Sequence, residues 1–197
     1  MKWREADGMR WLEARLPGAT AAFTTRDFGS ARESFEPLAA LGIEPEAIVS
    51  AWQVHGANLA FHDRGDEVPA EADGHVIGDP ATVGLVFGAD CLPIALVGSG
   101  GAAIVHGGRR GLEQEIATRG AAAVEATAAA IGPGVGPCCY EVDLWREARR
   151  QLSEAGVERI ESADLCTCCE TELFFSHRRD GDPRRQAGLV WLERGEG

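Results

Sequence analysis

The sequence predicts an α+β fold, a mixed α/β sandwich, formed as one compact domain by residues 1–197. Three short apolar runs, each bounded by glycine or proline, predict its central strands. These runs are residues 83–87, 92–97 and 102–105. The predicted strands and helices follow one another without a strict β-α-β alternation, which disfavours a doubly wound fold. The glycine signatures of dinucleotide-binding and P-loop proteins do not occur in the sequence, which also argues against those folds.

The amino-terminal half predicts strands separated by short helices and loops. Residues 9–16 and 21–25 predict two edge strands joined by a turn at Pro17 and Gly18. Residues 34–41 look helical and end at Gly42, and a second short helix is predicted to start at 44–46. The elements predicted before the central strands are a strand at 48–54, a charged surface loop at 64–71 and a strand at 73–77.

The carboxy-terminal half predicts two helices and a closing strand. Apolar residues at spacings of three to four, or multiples of these, predict a long alanine-rich helix from 112 to 131, which ends at the Gly-Pro-Gly of 132–134. A second helix is predicted at 144–155, with Asp143 as N-cap and Gly156 as C-cap. The remaining predictions are a buried turn or strand at 135–142, a turn at 180–183 and a strand at 186–192.

Charge and cysteine content limit the partners and the compartment. The net charge of −12 repels a polyphosphate backbone, so a nucleic-acid polymer is not an expected partner. Asp90, Pro93 and the glycines at 98–101 interrupt the longest apolar stretch, which argues against a membrane span. The amino terminus lacks the apolar core of a secretory signal, and six cysteines without such a signal predict a reducing cytoplasm.

His55, Cys91 and His106 carry the candidate chemistry. Each ends or follows an apolar run beside glycine or proline, where burying a polar side chain without a function is costly. Two imidazoles and one thiolate suit zinc, and three protein ligands leave a fourth position for water, which is the pattern of a catalytic zinc. The neighbouring Asp90 is a candidate to orient a ligating histidine, or equally to cap a turn.

Two other interpretations of these residues stay open at this point. In the first, His55 and His106 are core histidines with satisfied hydrogen bonds, and Cys91 is a small buried hydrophobe. The spacing of the residues alone supports this interpretation about as well as it supports the metal site. In the second, Cys91 is a nucleophile and His106 its base, as in cysteine hydrolases that need no metal.

Five motifs, taken together and in order, resemble the laccase-domain family, also called multicopper polyphenol oxidase or YfiH-like proteins. They are Gln-Val-His-Gly at 53–56, Ala-Asp-Cys-Leu-Pro-Ile at 89–94, Val-His-Gly-Gly-Arg-Arg-Gly at 105–111, Gly-Pro-Cys-Cys-Tyr-Glu-Val at 136–142 and Phe-Phe-Ser-His-Arg-Arg-Asp-Gly at 174–181. The resemblance covers residues 23–192 and implies the YfiH-like sandwich fold. It also implies one metal ion, usually zinc with copper possible, bound by His55, Cys91 and His106.

The resemblance implies an activity on small-molecule purine nucleosides and phosphate. That activity is phosphorolysis of adenosine, inosine and methylthioadenosine to the free base and (methylthio)ribose 1-phosphate, together with adenosine deamination. Arginine forks match phosphate geometry, which makes arginines in the matched motifs candidate anion ligands. The candidate catalytic residues are Cys91, His106, Arg26 and Arg110. The candidate substrate-binding residues are Gln53, Asp90, Cys138 and Arg178.

The family's older label, a copper-dependent phenol oxidase, fits the residues less well. Oxidases with several coppers need a histidine-rich cluster, whereas this sequence has five histidines in all. The alternatives to a nucleoside enzyme are therefore a cysteine hydrolase, a phenol oxidase and a non-catalytic interaction factor. One departure concerns the site itself, because Arg109 stands where the family usually has tryptophan.

The remaining cysteines suggest a second metal site only weakly. Cys138-Cys139 and the group Cys166, Cys168 and Cys169 are candidates for a structural four-cysteine zinc site. Side chains of adjacent residues are expected to diverge, so the sequence favours free, partly buried thiols, with Cys138 or Cys139 lining a pocket.

Overall fold

The structure, a computed structural model, describes residues 1–62, 69–181 and 183–194. Within these residues, two six-stranded sheets and four α-helices form the fold. The strands are β1 Lys2–Ala6, β2 Met9–Leu16, β3 Ala19–Thr24, β4 Ile48–Val49, β5 Leu59–Phe61, β6 Gly74–Ile77, β7 Val83–Gly88, β8 Leu92–Gly98, β9 Gly101–Gly107, β10 Ala126–Ile131, β11 Arg159–Ser162 and β12 Gln186–Leu192. The helices are α1 Arg109–Glu113, α2 Ile116–Val124, α3 Leu144–Glu154 and α4 His177–Asp180.

The two sheets pack face to face. The first has the strand order β1-β2-β3-β12-β7-β4, and the second has the order β11-β10-β8-β9-β6-β5. Phe23 and Val190 of the first sheet share a buried cluster with Val97 and Ile104 of the second. The predicted α+β sandwich is thus confirmed.

Further layers cover the outer faces of both sheets. Leu96 and Val105 of the second sheet pack with Ile116 of α2 and Leu152 of α3. Turns between residues 26 and 47 cover the first sheet, where Leu38 belongs to the same cluster as Leu85 and Leu189. Because the central strands are covered on both faces, they need apolar side chains at nearly every position, which explains their continuous apolar runs.

The predicted strands at 9–16 and 21–25 are present as β2 and β3, but neither lies at an edge. β1 pairs with the outer side of β2, and β12 pairs with β3. The helices predicted near 34–41 and 44–46 are 3₁₀ helices, Glu36–Leu41 and Pro45–Ala47. Of the strand predicted at 48–54, only Ile48–Val49 pairs in a sheet as β4.

The long helix predicted from 112 to 131 is wrong in its second half. Glu115 and Glu125 adopt positive φ angles of 60° and 50°, which interrupt the helix, and the chain continues as β10. This strand lies between β8 and β11. Its alanines fit because Ala128 and Ala130 face the other sheet while Ala129 faces the helices. Sheet packing therefore overrides the helix propensity of alanine.

The predictions of the second helix and of the closing strand in the carboxy-terminal half are confirmed. Asp143 caps α3 by accepting a hydrogen bond from the Arg146 backbone, and Gly156 follows the helix at a φ of 84°. The closing strand is β12. Part of the predicted loop at 64–71, and Asp182 of the turn predicted at 180–183, lie outside the described residues. No helix in the described part of the chain is long and apolar enough to cross a membrane.

Candidate metal centre and its cavity

The fold brings His55, Cys91 and His106 together. His55 lies in the loop after β4, Cys91 in the connection from β7 to β8, and His106 near the end of β9. One ligand atom of each lies within 4.8 Å of the ligand atoms of the other two. The two imidazole rings meet edge to face, with centroids 4.9 Å apart. We call these three residues the three-donor centre.

Unusual backbone geometry makes this approach possible. His55 adopts a φ of 61°, in the left-handed region that non-glycine residues rarely occupy. Gly108 packs against the centre so closely that a Cβ atom there would lie 2.9 Å from Cys91 Sγ and 3.4 Å from His55 Cδ2. Strained backbone of this kind is concentrated at functional sites.

Asp73 supports the centre from behind and is fully buried. Nδ1 of His106 donates to Oδ1 of Asp73 over 3.0 Å, which leaves Nε2 of His106 for a ligand. The same carboxylate accepts backbone N–H bonds from Val54, His55 and Gly56 at 2.7–3.2 Å. Sequence reasoning missed this residue. The available signal was a carboxylate placed directly before a buried strand.

The charges of the centre favour a thiolate beside an imidazolium. Burial raises the pKa of the Cys91 thiol, but the neighbouring rings of His106 and His55 outweigh burial and lower it to about 6. At His106, burial lowers the pKa, while the Cys91 thiolate and the Asp73 carboxylate raise it to about 9. A bound cation would take the place of the proton on His106 and would stabilise the same thiolate.

Asp90 and Gln53 lie near the centre, but their side chains form hydrogen bonds that hold other parts of the fold in place. Asp90 accepts hydrogen bonds from the Thr167 hydroxyl at 2.8 Å and from the Arg178 backbone at 2.7 Å. It therefore holds two loops together and orients neither histidine. The Gln53 amide makes two hydrogen bonds to the backbone of Phe87.

The three-donor centre opens into a cavity of about 730 Å³. Polar and aromatic side chains converge on it, and five arginines are among them. The lining residues that matter for the argument are Arg32, Arg109, Arg110, Arg178, Arg185, Phe87 and Tyr140. A cavity of this size suits a small organic ligand. The arginines make it suitable for an anion in a protein whose net charge is −12.

The predicted arginines fall into two groups. Arg110 and Arg178 line the cavity, and the Arg178 guanidinium lies 4.4 Å from the centroid of the Tyr140 ring. Arg26 is not among the lining residues. Its guanidinium donates to the Thr171 carbonyl and lies over the Phe175 ring. Its backbone N–H donates to the Leu173 carbonyl.

Arg109, which stands where the resemblance leads us to expect tryptophan, also lines the cavity. Its guanidinium forms an ion pair with Glu113 at 2.8 Å, one turn further along α1. Arg109 thus contributes a charge to the cavity wall, and Glu113 is the partner of that charge.

The other cysteines form a separate group. The sulfurs of Cys138, Cys139, Cys166 and Cys169 all lie within 4.8 Å of one another. We call them the four-cysteine group. The expectation that the adjacent Cys138 and Cys139 point apart is wrong, because both sulfurs lie 3.5 Å from that of Cys169. Cys138 is not among the residues that line the cavity.

Fold and site together define a class of protein: a two-sheet sandwich with a histidine–cysteine centre of metal-binding type inside an arginine-lined cavity. The chain belongs to the multi-copper polyphenol oxidoreductase laccase family, whose sequence profile matches residues 30–143 and 141–193.

Relatives cover most of the chain. It is 32% identical to the purine nucleoside phosphorylase YfiH of Shigella flexneri, over 81% of this chain and 80% of the relative. It is 31% identical to a purine nucleoside phosphorylase of Streptomyces coelicolor, over 98% of this chain and 93% of the relative. Among solved structures, YlmD from Geobacillus stearothermophilus superposes with a TM-score of 0.83 at 26% identity, covering 98% of this chain and 99% of YlmD.

Proposed function

We propose that this chain is a metal-dependent purine nucleoside phosphorylase that acts on adenosine, inosine and methylthioadenosine, with adenosine deamination as a second activity. The observation that carries the proposal is the meeting of the three-donor centre with an arginine-lined cavity of about 730 Å³. The names of relatives at 31% and 32% identity support it. A reducing cytoplasm, which we propose as its compartment, suits a thiolate ligand.

Zinc fits the donor set of the centre, and copper is the alternative ion. Two imidazole nitrogens and one thiolate are ligands of the softness that zinc accepts. Asp73 holds a proton on Nδ1 of His106, so that Nε2 keeps its lone pair for the ion. When bound, the ion would supply Lewis acidity and lower the pKa of a coordinated water.

Phosphate binding falls to the arginines of the cavity. Arg110 follows His106 by four residues, and no carboxylate in the described residues forms an ion pair with it. The Arg178 side chain is held against the Tyr140 ring. A guanidinium offers paired N–H donors that match phosphate oxygens. These local donors must attract the anion, because the overall net charge of −12 repels it.

Aromatic side chains provide an apolar wall for the purine base. Phe87 and Tyr140 line the same cavity as the arginines. Gln53 fixes the backbone of Phe87 by accepting from its N–H at 2.7 Å and donating to its carbonyl at 3.0 Å. A flat purine gains from stacking on such a ring. Gln53 therefore acts on the substrate through Phe87.

In phosphorolysis, a phosphate oxygen forms a bond to C1′ of the ribose while the bond from C1′ to the base nitrogen breaks. The electron pair of that bond leaves with the base, which takes up a proton. The arginines keep the phosphate close to C1′, and such positioning lowers the barrier to a reaction between two bound molecules. In deamination, water supplies the oxygen at C6 and ammonia leaves.

A cysteine hydrolase is the second candidate, and one observation favours it. Cys91, His106 and Asp73 have the order of a nucleophile, a base and an orienting carboxylate. His55 argues against this function, because a hydrolase needs one histidine at the sulfur and this centre has two. A several-copper oxidase has less support, since neither metal-competent group in the described residues holds more than two histidines.

Product analysis of the purified protein with adenosine tests the proposal. We expect adenine and ribose 1-phosphate when phosphate is present, and slow formation of inosine and ammonia when it is omitted. Chelation should abolish both reactions, and added zinc should restore them. If chelation leaves turnover intact while alkylation of Cys91 abolishes it, the hydrolase interpretation replaces this one. No conversion of any of the three nucleosides by the zinc-loaded protein would contradict the proposal.

A further inference from the structure

We propose that the four-cysteine group binds a second zinc ion, which is structural and ties together the two turns that flank the cavity. The group consists of Cys138, Cys139, Cys166 and Cys169. Its donors are independent of the three-donor centre, so this inference does not depend on the proposed nucleoside chemistry.

The spacing of the sulfurs fits one tetrahedral ion. With Zn–S bonds of about 2.3 Å, the sulfurs of a four-thiolate site lie about 3.8 Å apart. Cys169 Sγ lies 3.5 Å from the sulfurs of both Cys138 and Cys139, and no pair in the group exceeds 4.8 Å. An iron–sulfur cluster spreads its cysteines around several metal atoms, so this compact arrangement favours a single ion.

Two facing turns present the four sulfurs. In the first turn, the N–H groups of Cys139 and Tyr140 both donate to the Gly136 carbonyl. In the second turn, the N–H groups of Cys169 and Glu170 both donate to the Cys166 carbonyl. A bridge between Gly134 and Cys166 holds the two turns side by side. The tight first turn is the reason that adjacent cysteines can direct their sulfurs to one point.

A backbone N–H at the site favours the thiolate form of Cys166. The Gly136 N–H donates to Cys166 Sγ at 3.2 Å, and hydrogen bonds of this kind stabilise the charge of a metal-bound sulfur. Gly136 also has no room for a side chain: a Cβ atom would lie 2.5 Å from the Trp145 ring and 3.3 Å from Cys138 Sγ. The turn is therefore shaped around its sulfurs.

Four protein ligands complete a tetrahedral shell and leave no position for substrate, which is the pattern of a structural zinc.

The two turns lead directly into the cavity wall. Tyr140 follows Cys139, and Thr167 binds Asp90, whose other oxygen accepts from the Arg178 backbone. Arg179 adds bonds to the carbonyls of Thr167 and Cys168. The second ion would thus fix the position of the Tyr140–Arg178 pair.

Zinc counted per chain by elemental analysis tests the inference, with Cys168→Ser as the matched control. Cys168 lies between two proposed ligands but is not a member of the group. We expect two zinc ions per chain in the natural protein and in Cys168→Ser, and one in Cys169→Ser. We also expect one ion in the double variant His55→Ala/His106→Ala, with the thiolate-to-metal absorption of a four-thiolate site after cobalt substitution.

The opposite results would overturn the inference. These are no zinc in the natural protein, undiminished zinc in Cys169→Ser, or iron in place of zinc in the double variant. If Cys169→Ser does not fold, the metal content of the double variant tests the inference instead, because its four cysteines are intact. A double variant that folds, binds no metal and gives no thiolate-to-cobalt absorption would equally refute a four-cysteine site.

Discussion

The two cysteine-containing groups of this chain differ in composition and in how the fold assembles them. The three-donor centre combines two histidines and one cysteine from three separate segments of the chain, and His106 within it is buried. The four-cysteine group uses sulfur alone, comes from two adjoining turns, and has two exposed members, Cys138 and Cys169. One opens into a cavity, and the other ties the wall of that cavity together.

This difference suggests a catalytic role for the three-donor centre and a structural role for the four-cysteine group. A centre with three protein ligands keeps a position open for a reactant, whereas four thiolates leave none. Among the described residues, only the three-donor centre has a carboxylate, Asp73, hydrogen-bonded to one of its histidines. All three of its residues line the same cavity as the arginines. We therefore expect damage to the first group to remove turnover and damage to the second to remove mainly stability.

The largest expected effect comes from deleting a ligand of the three-donor centre. We expect His106→Ala to lose one zinc and to slow phosphorolysis about a thousandfold or more, because metal activation contributes several kcal/mol to the transition state. Far-ultraviolet circular dichroism should remain that of the natural protein. Turnover within a few-fold of the natural rate would remove the distinction between the two groups.

A smaller effect is expected at Asp73, with Asp90 as its matched control. Asp73→Asn replaces an oxygen that accepts N–H bonds by an amide that donates, so the orientation of His106 is lost. We expect zinc affinity at the three-donor centre to fall about tenfold to a hundredfold. Competition with a zinc-binding dye measures it. Asp90→Asn should leave that affinity unchanged, since the Asp90 carboxylate is hydrogen-bonded to Thr167 and the Arg178 backbone rather than to a histidine. An equal loss in both variants would contradict the assignment.

A third comparison uses two arginines. Arg110→Ala should raise the KM for phosphate about tenfold to a hundredfold, because a charge-assisted contact contributes about 1.5–3 kcal/mol. Deamination, which uses water, should change much less. Arg26→Ala should change the KM for phosphate by no more than about twofold, as expected for a substitution away from the cavity. The reverse order of effects would return the phosphate site to Arg26.

The sequence alone predicts the sandwich and the residues of the three-donor centre because both depend on local signals. Glycine- and proline-bounded apolar runs mark β7, β8 and β9, and two of the three candidate residues, Cys91 and His106, lie next to the ends of these strands. Gly156 and Asp143 likewise mark the ends of α3 by local rules.

What the sequence misses depends on contacts between distant segments. The sequence predicts helix for the residues of β10, because alanine favours helix and nothing in the sequence indicates the two strands that pair with it. The hydrogen bond between Asp73 and His106 could not be predicted, because the two residues are 33 positions apart in the sequence. The convergence of Cys139 with Cys169 depends on the conformation of two turns that only the folded chain reveals.

The most direct test measures zinc content and phosphorolysis on the same preparations of Cys91→Ser and Cys169→Ser. Each variant removes one sulfur from one group, so each should keep about one of two zinc ions. We predict that only Cys91→Ser loses turnover, by about a thousandfold, while Cys169→Ser keeps most of its turnover but melts at a lower temperature. Undiminished zinc and turnover in Cys91→Ser would contradict the account, because the three-donor centre would then be neither the metal site nor the site of reaction.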